Sequence, residues 1–114
     1  MPRRVADARR AVAQARDRGA VSHLIGPVTS TVEALDAIGA AFDFPAWYGR
    51  NLDALYDCLV DLSWQPPGEH MLIWTGHHEL EAADPDGYHA VLAVLDEAAA
   101  ANPERPLSVV LADA

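Results

Sequence analysis

Cysteine is nearly missing from this chain: Cys58 is the only one in 114 residues. An internal disulfide is therefore excluded, and the chemistry suits a reducing cytoplasm. Long apolar runs are missing too, with none approaching the roughly 20 residues that a membrane-spanning helix needs, so no membrane partner is expected. The opening MPRRVADARRAVAQARDRGA has no continuous apolar stretch. A secretory signal is accordingly not expected there, and the expected location is cytoplasmic. Lysine is wholly absent, so all eight basic side chains are arginines. No glycine-rich, phosphate-cradling loop is present.

Negative charge, by contrast, is plentiful and unevenly placed. Seventeen acids face eight arginines, a formal net charge of −9. Residues 1–18 hold six of the arginines against Asp7 and Asp17, a local +4, which leaves −13 on residues 19–114. A body that acidic repels phosphate backbones, so no direct nucleic-acid binding is expected; a basic protein is the partner it would attract. With 51% hydrophobic residues, the chain is long enough to bury one core without staples and is not expected to be disordered.

The periodicities predict a mainly alternating order of helices and strands. Residues 3–18 read as a helix with a thin apolar seam of Val5, Ala8, Val12 and Ala15, ended by Gly19. Val21 to Ile25 read as a strand closed by Gly26-Pro27. Ser30 and Glu33 fit a capping box for a helix carrying Val32, Leu35, Ile38 and Phe42. Asn51 is a good cap for a helix over 52–62. Met71 to Trp74 form a continuous apolar run, as in a strand buried on both faces. Asp84-Pro85 opens a helix with Tyr88, Val91, Leu92 and Leu95 on one side, and Leu107 to Leu111 close with a strand. This order predicts an α/β fold with a three-stranded parallel sheet packed with helices.

Residues 44–64, FPAWYGRNLDALYDCLVDLSW, stand out. At about 100° per residue, Leu52, Leu55, Leu59 and Leu62 share one side of the helix and Asp53, Asp57 and Asp61 share the other. Carboxylates at i,i+4 repel, each pair by about 0.2–0.5 kcal/mol. Such a row beside Trp47 and Tyr48 suits a surface that meets something positive. Asp53 can equally serve the helix dipole in the first turn, and a solvated acidic face explains the rest. Trp47 and Tyr48 are adjacent, so one ring packs while the other is exposed. Gly49 reads as a permissive turn residue, and Tyr56 lies beside the leucine side.

The string FPxWYGRNLDALYDCL, with Pro45, Tyr48, Gly49, Asn51, Leu52, Asp53, Ala54, Leu55, Asp57, Cys58 and Leu59 in place, resembles the signature segment of the barstar family of ribonuclease inhibitors. The strands and helices from about residue 20 to 112 follow the same order. The resemblance implies a barstar-like domain over 20–114, with residues 1–19 as an extra basic helix or arm that has no counterpart in the family. It also implies an intracellular, bacterial, non-enzymatic immunity protein, monomeric when free, whose partner is a basic secreted ribonuclease. Under it, Asp57 takes the place of the RNA phosphate in the enzyme's active site and Asp53 is its neighbour. Trp47 stands at a position that stacks on a catalytic histidine, Tyr56 replaces a tryptophan, and Glu97 matches a further acidic contact. Gly49, Asn51 and Leu52 shape the loop, and Tyr48 joins the partner-binding set; Asp61 joins it from the acidic row alone, because Asp61-Leu62-Ser63-Trp64 does not reproduce the family's contact residues there. Arg50 stands where the family has an acid.

Other chemistries are weaker. His77-His78-Glu79 suggests a metal, but in an extended segment adjacent histidines point to opposite faces, and no zinc-like spacing follows. No metal or cofactor is therefore expected. Asp53 and Asp57 lack a pocket that would separate their pKa values for acid–base work, and Cys58 fits a small buried hydrophobe, so no catalytic residue is assigned. An alternative from another class remains: an adaptor whose acidic face binds a basic protein that is not a ribonuclease.

Overall fold

The apolar run at residues 71–74 becomes the interior of a sheet. A computed structural model describes residues 2–114, in the order β1 (Arg3–Val5), α1 (Ala8–Arg18), β2 (Val21–Ile25), α2 (Thr31–Ala41), α3 (Leu52–Asp61), β3 (His70–Thr75), α4 (His78–Ala83), α5 (Pro85–Ala99) and β4 (Leu107–Ala112). All strands are parallel, in the order β1-β4-β3-β2. The class is the α/β, helix-packed parallel sheet expected from the sequence, but with four strands where three were expected. The added strand is Arg3-Arg4-Val5, in register with Val110, Leu111 and Ala112. An edge position tolerates two arginines because their side chains remain in water. The helix expected from residue 3 begins instead at Ala8, where the Asp7 carboxylate accepts the Arg9 N–H at 2.9 Å.

Period-2 alternation divides the strands between two cores. Met71 and Ile73 of β3, with Val110 and Ala112 of β4, lie under Ala8, Ala11 and Ala15 of α1. Leu72 and Trp74, with Ile25, Leu107, Val109 and Leu111, join the larger core formed with α2, α3 and α5. Burial on both faces is why β3 and β4 read as unbroken apolar runs. In α2 the expected Leu35, Ile38 and Phe42 are buried, whereas Val32 is exposed and Ala34 fills the inward place.

The predicted caps form. Ser30 Oγ accepts the Glu33 N–H at 3.1 Å, and the Glu33 carboxylate accepts from the Thr29 hydroxyl at 2.9 Å. Asp84 accepts the Gly87 N–H at 3.0 Å, and the Thr31 hydroxyl donates to its other oxygen at 3.1 Å, joining the starts of α2 and α5. Within the larger core His23 stacks on Phe42 at 3.8 Å between centroids. Its Nδ1 meets Ala41 O at 2.9 Å, and its Nε2 meets His70 Nδ1 at 2.9 Å. Among the described residues, no helix is long and apolar enough to cross a membrane.

Candidate functional site

The chain between Phe42 and α3 makes a short aromatic loop, and α3 follows as soon as Asn51 can cap it. Asn51 is extended (φ −138°, ψ 173°), and its side-chain oxygen accepts the Ala54 N–H at 2.8 Å. Leu55, Cys58, Leu59 and Leu62 are fully buried, and Leu52, Tyr56 and Val60 are half-buried against the same core. Asp53, Asp57 and Asp61 are exposed on the opposite side. One side of α3 thus anchors it while the carboxylates stand in water, where solvent and salt screen their repulsion. At the far end Leu62 takes a left-handed backbone (φ 48°) without being glycine, and the burial of its side chain offsets that strain. Its N–H donates to Cys58 O at 3.0 Å, and Asn102 Nδ2 donates to Asp61 O at 3.2 Å, sealing the helix terminus.

Of the two adjacent rings, Tyr48 packs and Trp47 is out. The Tyr48 ring crosses α2 where Gly39 leaves room: a Cβ there would sit 2.9 Å from Tyr48 Cε2. The Tyr48 hydroxyl donates to Leu35 O at 3.1 Å, and burial pushes the phenol up to about 12. Trp47 is 60% exposed and meets Trp64 edge-on at 6.3 Å. Trp64 is fixed in turn by its Nε1–H bond to Phe42 O at 2.8 Å and by the edge of Phe44. The outward tryptophan therefore stands on a buttressed base.

Arg50, which read as a local reversal of charge, is answered from α2. Its Nε and Nη2 donate to the two Asp36 oxygens at 2.6 and 2.8 Å, a bidentate pair that raises the guanidinium pKa further. The left-handed residues of the loop are Asp43 (φ 54°) and Arg50 (φ 55°) and not Gly49, where a Cβ would meet only ordinary contacts at 3.4 Å and beyond. Thr31, Leu35, Arg50, Asn51, Leu52 and Asp53 line an open depression between the starts of α2 and α3. Sequence reasoning missed Asp36 and Trp64. The signal for Asp36 was a loop arginine without a sequence-local partner; Trp64 carried none.

Glu97 is exposed on α5, which packs against α3. Burial, followed by the charges of Asp57 and Asp61, pushes the Cys58 thiol up to about 11, so it is held as an inert thiol. The expectation that His77 and His78 point apart does not hold. His77 caps α4 and His78 is its first residue, and their ring centroids are 4.0 Å apart. Burial lowers the pKa of His77, whereas the Glu81 carboxylate raises that of exposed His78.

What this arrangement can do chemically is bind: a rigid acidic row, a buttressed exposed indole and a neutralised loop arginine lie on one continuous stretch of chain. A comparison with curated proteins finds no match. A family model does match, over residues 23–112: barstar, described as barnase inhibitor.

Proposed function

This chain belongs to the barstar family, and from that premise we propose that it inhibits a barnase-type ribonuclease by occluding the enzyme's active site. The observation that carries the reading is the two-sided α3: Leu55, Leu59 and Leu62 fully buried, Asp53, Asp57 and Asp61 exposed. Fixed negative charge is steered to the basic cleft that an RNA-cleaving enzyme needs for its phosphates. Asp57 occupies a phosphate position there, with Asp53 and Asp61 flanking it. Trp47 offers an indole face to stack in the cleft, while Tyr48, Gly49, Asn51 and Leu52 hold the loop and Tyr56 and Glu97 extend the contact. The Asp36–Arg50 pair keeps the arginine from opposing a basic partner. The inhibitor acts in the cytoplasm as a monomer, without cofactor or nucleic acid, on an enzyme otherwise destined for secretion.

The test mixes the purified chain with a panel of small basic microbial ribonucleases and follows RNA cleavage. At least one is inhibited with one-to-one stoichiometry. Asp57→Ala weakens that complex at least ~30-fold, the size of an interfacial hot spot, without altering the fold, because the side chain is exposed. Full inhibition by both Asp57→Ala and Trp47→Ala would put the binding face elsewhere.

A further inference from the structure

The loop after β3 turns directly into α4 and carries two adjacent histidines that the proposed inhibitory face does not use. His77 is helical in backbone (φ −58°, ψ −24°), so the two rings follow one another around a turn, 4.0 Å apart. Each ring is held through Nδ1. His77 Nδ1 meets the Tyr88 hydroxyl at 2.7 Å in a buried contact, and His78 Nδ1 meets Glu81 Oε1 at 2.9 Å. Both Nε2 atoms are left facing one group: Asp113 Oδ1 lies 3.9 Å from that of His77 and 3.2 Å from that of His78.

Histidines in metal sites are held in this way. One ring nitrogen bonds a carboxylate or another polar group, which fixes ring and tautomer, and the other presents its lone pair. A tetrahedral zinc with ligands at about 2.0–2.2 Å has ligand–ligand edges of about 3.4 Å. The distances of 3.2 and 3.9 Å around Asp113 Oδ1 bracket that value. The residues whose ligating atoms all lie within 4.8 Å of one another are His77, His78 and Glu81; Asp113 is placed beside them by the two distances above. The His77 side chain is only 1% exposed and so is already immobilised. Burial, then the neighbouring His78 and Arg4, disfavour a positive charge on His77, against the smaller opposing effect of the Asp113 and Glu81 carboxylates.

We propose that His77, His78 and Asp113 bind one divalent transition-metal ion of the zinc class, with Tyr88 and Glu81 orienting the two rings. Imidazole with carboxylate suits zinc, whereas magnesium and calcium prefer an all-oxygen shell. The three protein ligands leave a fourth position for water. Asp113 follows β4, and its backbone N–H donates to Val5 O at 3.2 Å. An ion here ties the start of α4 to the end of β4 and, through it, to β1.

The experiment titrates the full chain with Zn²⁺ in a calorimeter and with Co²⁺ followed by absorbance. One ion binds per chain, Zn²⁺ raises the melting temperature, and Co²⁺ develops tetrahedral ligand-field bands. His78→Ala and Asp113→Asn each weaken binding at least ~10-fold, and Glu81→Gln weakens it ~10- to 100-fold as an outer-shell partner. His78 and Asp113 are exposed, so these variants fold, which circular dichroism verifies. His89→Ala, which removes another exposed histidine, binds as the parent does. The proposal is overturned by the absence of saturable one-to-one binding. It is equally overturned if His78→Ala or Asp113→Asn binds as tightly as the parent, or if His89→Ala loses the ion.

Discussion

Removing residues 1–18 should unfold this protein, although the segment lies outside the family match at residues 23–112. The truncation deletes β1 and α1 together. It uncovers Met71, Ile73 and Val110, which are 0%, 0% and 1% exposed in the intact fold. Each such side chain is stabilised by about 1.5–3 kcal/mol through burial, so the loss is about 5–9 kcal/mol. A domain of this size has about 5–15 kcal/mol in total, so the remainder is left marginal or unfolded. Urea denaturation followed by tryptophan fluorescence, together with binding of a hydrophobic dye, measures this directly. Ala11→Asp supplies a point version, because Ala11 is fully buried between α1 and the sheet. A division into a dispensable arm 1–19 and a self-sufficient domain 20–114 requires the opposite result. If the truncated chain unfolds cooperatively within ~1 kcal/mol of the intact one, the two-core reasoning fails.

Leu59→Ala should remove about 2–5 kcal/mol of stability in the same denaturation assay, as buried leucines do, while Asp53→Ala should remain close to the parent because its side chain is exposed. A mild loss for Leu59 would mean that α3 is not anchored as described. Tyr48→Phe should lose about 0.5–1.5 kcal/mol with the hydroxyl bond to Leu35 O, and Gly39→Val should lose more, because its Cβ falls 2.9 Å from the Tyr48 ring. Equal effects would refute the close approach. Burial is the main cause lowering the His23 pKa, against the raising effect of its bond to Ala41 O. Below the unfolded value of about 6.5 the unfolded chain then binds more protons than the native one. The stabilisation from neutral His23 is full above that pH and is lost as pH falls through the depressed native pKa. His23→Gln should therefore flatten the decline in melting temperature from about pH 7 to about pH 5; an unchanged slope would exclude His23 as its source.

Features that depend on a few neighbouring residues were legible in advance. The Asn51 cap, the Ser30–Glu33 capping box and the opposition of leucines and aspartates on α3 each arise within one or two helical turns. The exposure of one ring of the Trp47–Tyr48 pair followed from adjacency, but which ring packs did not; that depended on Gly39 leaving room on α2. Arg50 was legible as a positive charge, whereas its partner Asp36 lies 14 residues earlier. The backbone of His77 decided whether two histidines diverge or converge, and the carboxylate they face is 35 residues beyond His78.

What the sequence determined by itself is the order of the larger elements, the acidic body and the two-sided helix, because composition and periodicity act over a few residues. Only the tertiary structure decided that Arg3–Val5 is a strand, because its partners Val110–Ala112 lie at the other end of the chain. A three-residue strand has no periodicity of its own; it exists because an exposed sheet edge supplies its hydrogen bonds. The same holds for the paired Arg50 and the converging His77 and His78. In each case the chemistry of a side chain is set by what folding brings beside it.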